Sequence, residues 1–143
     1  MPMQLILWPI VAMVVLVAVV TFRMFFERKR QVAAEGIRFS EIPSGSQMAT
    51  RFADTRAADN YRNLFEMPVF FYAAVIVAYL LGAVSALSLG LAWTYVLLRF
   101  VHSWIHCGHN RVRHRLSAFF ASNLVLWSLW GVIAFHLVRM RGA

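Results

Sequence analysis

The sequence predicts an all-α integral membrane protein, a bundle of four helices that form one domain. The chain of 143 residues is 61% hydrophobic and only 14% charged, whereas a soluble domain is about half apolar and a quarter charged. Four apolar stretches are each close to the roughly 20 residues that cross a bilayer as a helix. The single cysteine, Cys107, excludes an internal disulfide and a cysteine-based zinc site.

The four predicted helices cover residues 3–26, 58–81, 87–106 and 116–138. The first is an apolar run interrupted only by Arg23, and it is too long for the core of a signal peptide, so we expect it to remain in the membrane. The second begins with polar residues, and Pro68 near its start can kink it. The third carries Arg99 and two histidines inside its apolar run. The fourth follows a short basic connection.

The distribution of charge predicts the orientation of the chain. Twelve of the fourteen Lys and Arg residues lie in the first connection, over about 27–56, in the third connection, or at the helix ends beside them. Basic connections stay on the cytoplasmic side, so we expect a multi-pass membrane protein with both termini outside the cytoplasm. The net charge of +8 then reflects topology and contact with membrane lipids, and we expect no binding of nucleic acid.

A polar cluster opens the second predicted helix. Asp59, Asn63 and Glu66 recur at helical spacing and share one face, with Arg62 beside them. Charge at the start of a membrane helix costs several kcal/mol unless it is paired, hydrated or facing other helices. A favourable interaction with the helix dipole would explain Asp59 but not Glu66, which lies inside the apolar run. We therefore expect this cluster to have a function.

A second polar stripe lies in the third predicted helix, where Arg99, His102 and His106 stand at i, i+3 and i+7. A purely structural alternative is an ion pair between Arg99 and Glu66 that joins two helices. Histidines at i and i+4 can ligate a metal. We expect no metal site, because no acidic residue follows Glu66 in the chain.

A basic run, Asn110 to Arg115, follows the third predicted helix. Such a run is typical of a topology determinant or of a patch that contacts lipid headgroups. It could also bind an anionic ligand, since arginine pairs with carboxylates through two parallel hydrogen bonds.

Three motifs together resemble the MAPEG family, the membrane-associated proteins of eicosanoid and glutathione metabolism, and most of all its small bacterial branch. They are Arg62-Asn63-x-x-Glu66-Met67-Pro68-Val69, Arg99-x-x-His102-Ser103-x-x-His106 and Asn110-Arg111-Val112-x-x-Arg115. The resemblance implies a bundle that assembles as a homotrimer. It also implies that glutathione, the co-substrate, binds between subunits near the cytoplasmic face.

Matching to the family's motifs implies a set of site residues. The residues implied to bind glutathione are Arg62, Asn63, Glu66, Arg99 and His102. The residues implied to act in catalysis are Arg111, Arg115 and His106, with one of the two arginines stabilising the thiolate. The chain departs from the well-known enzymes at Asp59, where they have a basic residue, and at His106, where they have a tyrosine. His106 could replace that phenol as a hydrogen-bond donor.

The function that the resemblance implies is a glutathione-dependent transferase or peroxidase of the bacterial inner membrane, acting on a lipophilic small-molecule substrate that enters from the bilayer. An alternative is a non-catalytic membrane protein of the same fold, which binds a lipid or a partner and uses the polar cluster structurally. A third interpretation is a carrier of protons or small ions that uses His102, His106 and Glu66.

Overall fold

A computed structural model describes residues 1–38 and 54–140, together with the backbone of Arg141. All regular secondary structure in these residues is helical. A 3₁₀ turn, Met3–Leu7, leads into the first α-helix. The α-helices are α1 (Trp8–Ala34), α2 (Arg56–Asn63), α3 (Met67–Leu80), α4 (Ala86–Cys107) and α5 (Val112–Arg141).

The predicted fold class, an all-α membrane helical bundle, is confirmed. Three described segments are long and apolar enough to cross a membrane, namely Met3–Ala34, Arg56–Leu80 and Val112–Met140. The remaining predicted span, the third at 87–106, corresponds to α4, whose 22 residues are also long enough but include the polar stripe of Arg99, His102 and His106. Because α4 packs mainly against α5, these polar groups are shielded from lipid.

The core of the bundle is formed mainly by aliphatic side chains from the 3₁₀ turn, α1, α3, α4 and α5, with two aromatic rings among them. Phe71 stacks on Tyr95 with ring centroids 4.4 Å apart, and both residues are fully buried. Leu126 and Ile133 of α5 are equally buried. Many large apolar side chains remain exposed on the outer faces, as expected for helices whose surroundings are lipid rather than water.

The predicted helix over 58–81 is two helices in the structure. The chain leaves the helical conformation at Leu64–Glu66, and Glu66 has φ −94° and ψ −98°. Pro68 then lies in the first turn of α3, where the missing N–H costs nothing. As a result, Asp59 and Asn63 stay on one helix, but Glu66 no longer shares their face.

The first helix also continues beyond the predicted end at residue 26, because α1 runs on to Ala34. An i,i+4 ion pair at 3.0 Å between Arg23 and Glu27 supports this extension. The predicted polar connection over 27–56 therefore begins as helix, and its part at 39–53 lies outside the described residues.

The turn between α3 and α4 lies beside the last turns of α5. Gly82 has φ +66°, a conformation that favours glycine. Ser85 caps α4 by accepting a hydrogen bond from the backbone N–H of Ser88. The Nε2 atom of His136 lies 3.2 Å from the Leu81 carbonyl oxygen, which fixes the position of this end of the bundle.

At the opposite end, two arginines hold the C-terminus of α4. Arg23 Nη2 donates to the Cys107 carbonyl at 2.6 Å, and Arg56 Nη1 donates to the Gly108 carbonyl at 2.5 Å. Cations at a helix C-terminus satisfy its free carbonyls and oppose its dipole. These contacts bring the polar ends of α1, α2 and α4 together at the end of the bundle where α5 begins.

Candidate functional site

A cleft of about 330 Å³ lies between α2, α4 and α5 at this polar end of the bundle. Seven residues line it: Asp59 and Asn63 from α2, His102 and His106 from α4, and Arg115, Leu116 and Phe119 from α5. Helix α2 ends at Asn63. Its polar side chains Asp59 and Asn63 therefore lie beside α4 in the cleft and are not part of a helix that continues into the membrane.

His106 lies at the centre of the polar contacts in the cleft. Arg115 Nη1 is 3.1 Å from His106 Nε2, and because arginine is always a donor, Nε2 accepts this hydrogen bond. A neutral ring then carries its proton on Nδ1. The side-chain nitrogen of Asn63 is 3.4 Å from Nδ1, and a half-turn of the amide would present its oxygen to that proton. Arg115 therefore sets the tautomer of His106.

Hydrogen bonds hold both the side chain and the backbone carbonyl of Arg115 in place. Its Nη1 atom also donates to Asn110 Oδ1 at 3.0 Å. Asn110 has φ +46°, a left-handed conformation that asparagine tolerates well. The Arg115 carbonyl accepts from His102 Nδ1 at 3.1 Å, so the proton of a neutral His102 ring also lies on Nδ1. The guanidinium of Arg115 is thus preorganised at the wall of the cleft.

Asp59 of α2 provides a negative charge in the lining of the cleft. Its Oδ2 atom accepts a hydrogen bond of 2.8 Å from the Thr55 hydroxyl. In the part of the chain that the structure describes, neither Asp59 nor Arg115 has an oppositely charged partner within 4.0 Å. The cleft therefore presents one carboxylate and one guanidinium that are both available to a ligand.

Arg99 lies behind the cleft and is fully buried. Its Nη2 atom donates to the Asn63 carbonyl at 2.7 Å, and its guanidinium lies 5.9 Å from the centroid of the Phe119 ring. Its Nε and Nη1 atoms have no hydrogen-bond partner among the described residues. The structural alternative of an ion pair with Glu66 is not formed, since Glu66 is exposed and has no cation within 4.0 Å in the described structure.

The structure brings together four of the eight candidate residues and separates the others. Asn63, His102, His106 and Arg115 line the cleft. Arg62, Glu66 and Arg111 are exposed on the outside of the chain, and Arg99 lies behind the cleft wall. No group of three or more potential metal-ligating side chains occurs in residues 1–38 and 54–140.

Three cleft residues were not among those predicted for the site. The helical spacing of Asp59 from Asn63 indicated that the two residues share a face, but the well-known enzymes of the family have a basic residue at the position of Asp59. Leu116 and Phe119 gave no signal, because an apolar residue that lines a cleft cannot be distinguished by type from one that faces lipid. Their positions depend on how α5 packs against α4.

The sequence matches the family model described as MAPEG family over residues 6–135. The chain belongs to the MAPEG family. Neither the curated proteins nor the solved structures include a match to it. The matched segment includes every residue that lines the cleft. This MAPEG protein is thus a membrane protein of the glutathione and eicosanoid metabolism family.

Proposed function

We propose that the protein is a membrane-embedded glutathione-dependent transferase or peroxidase that acts on lipophilic electrophiles. The observation that carries this proposal is that Asp59 and Arg115, two opposite charges without an ion-pair partner among the described residues, line one cleft. Glutathione offers an ammonium group, a thiol and two carboxylates, and few other common metabolites combine these groups.

The charges of the cleft match the groups of glutathione. Asp59 would accept hydrogen bonds from the ammonium group. Arg115, fixed by Asn110 and His106, would lie beside the thiol, because a nearby guanidinium lowers the pKa of a thiol from about 8.5 and raises the fraction of thiolate. Of the two arginines that could have this role, Arg115 lines the cleft and Arg111 does not.

Beyond binding glutathione and stabilising its thiolate, the protein has little to supply to the transferase reaction. The thiolate sulfur attacks an electrophilic carbon, a carbon–sulfur bond forms, and the leaving group departs with its bonding electrons. In the peroxidase reaction, two glutathione molecules reduce a hydroperoxide to an alcohol and water and become a disulfide. Leu116 lines the cleft and is 45% exposed, so a lipophilic substrate that enters from the bilayer would meet an apolar side chain there.

The exposed candidate residues suggest that a second subunit completes the site. Arg62, Glu66 and Arg111 lie outside the cleft of the single chain. In a homotrimer with glutathione between subunits, a neighbouring copy would cover Arg62 and Glu66, and Arg62 would be available for a carboxylate of glutathione. This arrangement explains why charged residues remain uncovered at the edge of a membrane bundle.

Isothermal calorimetry of the purified protein in detergent tests this proposal. We expect glutathione to bind wild type at millimolar concentration and to bind Arg115→Gln about ten- to a hundredfold more weakly, the range for a charge-assisted hydrogen bond. Arg139→Gln, at the far end of α5, is the matched control and should bind like wild type. Absence of binding to wild type, or equal binding to all variants, would refute the proposal.

Turnover is measured separately with a chloro-nitrobenzene, whose thioether product absorbs light. Formation of this product by wild type at a rate above that of the uncatalysed reaction supports the transferase activity. If glutathione binds but neither an electrophile nor a hydroperoxide is consumed, the non-catalytic alternative is favoured.

A further inference from the structure

Two runs of basic residues lie at the end of the bundle where α1 leaves its apolar stretch. Arg28, Lys29 and Arg30 follow the apolar part of α1, while Arg111 and Arg113 stand at the start of α5. The hydrogen bonds from Arg23 to the Cys107 carbonyl and from Arg56 to the Gly108 carbonyl place both runs at this end. We call these five residues the basic band.

Two carboxylates at the same end of the bundle are already paired with cations outside the basic band. Glu27 is paired with Arg23 at 3.0 Å, and Asp54 is paired with Arg56 at 2.6 Å. Among the described residues, none of the five side chains of the band has a hydrogen-bond or carboxylate partner. Glu27 and Asp54 are therefore used by the two arginines that hold α4, and the band keeps its positive charge.

The length of α1 places the basic band at the level of the lipid headgroups. Its 27 residues extend about 40 Å at 1.5 Å per residue, which exceeds the roughly 30 Å of hydrocarbon in a bilayer. Phe25 and Phe26 are exposed immediately before the band, and Trp104, one turn before the end of α4, is 80% exposed. Exposed indole rings are favoured at the boundary between hydrocarbon and headgroups.

We propose that the basic band binds the headgroups of anionic phospholipids, whose acyl chains lie along the exposed apolar face of α1. Arginine binds phosphate oxygens through paired hydrogen bonds, and basic residues at a membrane surface attract anionic lipids. The exposed side chains of Phe22 and Val19, six and nine residues before Arg28, provide the apolar surface. Free phosphate would contact only the basic residues and would leave the exposed apolar face of α1 uncovered.

Spin-labelled lipids test this proposal with the full chain in phosphatidylcholine vesicles. Electron spin resonance measures the fraction of labelled phosphatidylglycerol or phosphatidylcholine that the protein immobilises. Wild type should prefer phosphatidylglycerol, and Arg28→Gln/Arg30→Gln should lower this preference about threefold or more. The matched control is Arg139→Gln/Arg141→Gln, which removes two arginines from the opposite end of α5 and should keep the preference.

Three results would overturn the proposal. They are equal immobilisation of the two lipids by wild type, an equal loss of preference in the control pair, and displacement of labelled lipid by inorganic phosphate. The salt dependence of wild type gives a measurement that needs no variant, since headgroup attraction at a surface weakens as ionic strength rises. The measurement involves no glutathione, so its outcome is independent of the proposed catalytic function.

Discussion

Replacement of Arg99 by methionine tests whether this buried arginine supports the fold or the site. Arg99 is fully buried, has one hydrogen bond, from Nη2 to the Asn63 carbonyl at 2.7 Å, and leaves Nε and Nη1 unpartnered among the described residues. A buried guanidinium with a single hydrogen bond is expected to contribute little to the free energy of unfolding. Methionine has a similar volume and carries no charge.

The expected change in the free energy of unfolding combines contributions that destabilise the variant and one that stabilises it. Loss of the hydrogen bond leaves a buried carbonyl unpaired, at about 1–3 kcal/mol, and loss of the contact with Phe119 costs about 0.5–2 kcal/mol. Against this, replacing buried charges by apolar residues is neutral or stabilises a protein by about 1–4 kcal/mol. The terms nearly cancel, so the free energy of unfolding of Arg99→Met should lie within about 2 kcal/mol of wild type.

The assay is reversible unfolding in mixed detergent micelles with rising dodecyl sulfate, followed by tryptophan fluorescence. Phe71→Ala is the comparison, because Phe71 is equally buried and stacks on Tyr95, and truncation of a buried phenylalanine costs about 3–5 kcal/mol. If Arg99→Met loses as much stability as Phe71→Ala, then the guanidinium is a net support of the fold and the reasoning is wrong. If it stays near wild type, Arg99 is retained for another reason, and loss of glutathione binding in the same variant would identify that reason.

Two further predictions concern the polar end of the bundle. The hydrogen bond from Arg56 holds the pKa of Asp54 at about 2, below its ordinary value of 3.8, so its stabilisation is complete above pH 3.8 and is lost as pH falls through 2. The melting temperature of Asp54→Asn should therefore fall less than that of wild type over this range, and parallel curves would contradict this. Gly108→Ala should lower the melting temperature, because its Cβ would lie 2.9 Å from the Trp104 carbonyl oxygen. Gly90→Ala, which has nothing within 4 Å, is the control and should be neutral or stabilising, and equal effects of the two substitutions would contradict the steric argument.

The helical membrane fold could be predicted from the sequence because its cause is local. Apolar runs of spanning length have few alternatives in a bilayer, where every backbone group must be bonded within its own segment or barrel. The meeting of the polar ends of α2 and α4 could also be predicted, since the connections that carry charge lie on one side. The basic residues Arg23 and Arg56 contribute to this meeting through the carbonyls of α4.

The geometry of the site could not be predicted, because it depends on packing between elements. Spacing alone placed Glu66 with Asp59 and Asn63, but the break at Leu64–Glu66 directs it elsewhere. The sequence also offered Glu66 as the partner of Arg99, whereas the structure supplies the carbonyl of Asn63. Both differences follow from one irregular turn before Pro68, whose presence indicated a kink but not the loss of helix that precedes it.

The central claim is that the cleft of Asp59 and Arg115 binds glutathione in the assembled protein. Native mass spectrometry of the oligomer released from detergent, titrated with glutathione to millimolar concentration, tests it most directly. We predict a trimer that gains one glutathione per subunit, with the gain lost in Arg115→Gln and kept in Arg139→Gln. An oligomer whose mass does not change, or one that gains glutathione equally with and without Arg115, would contradict the claim.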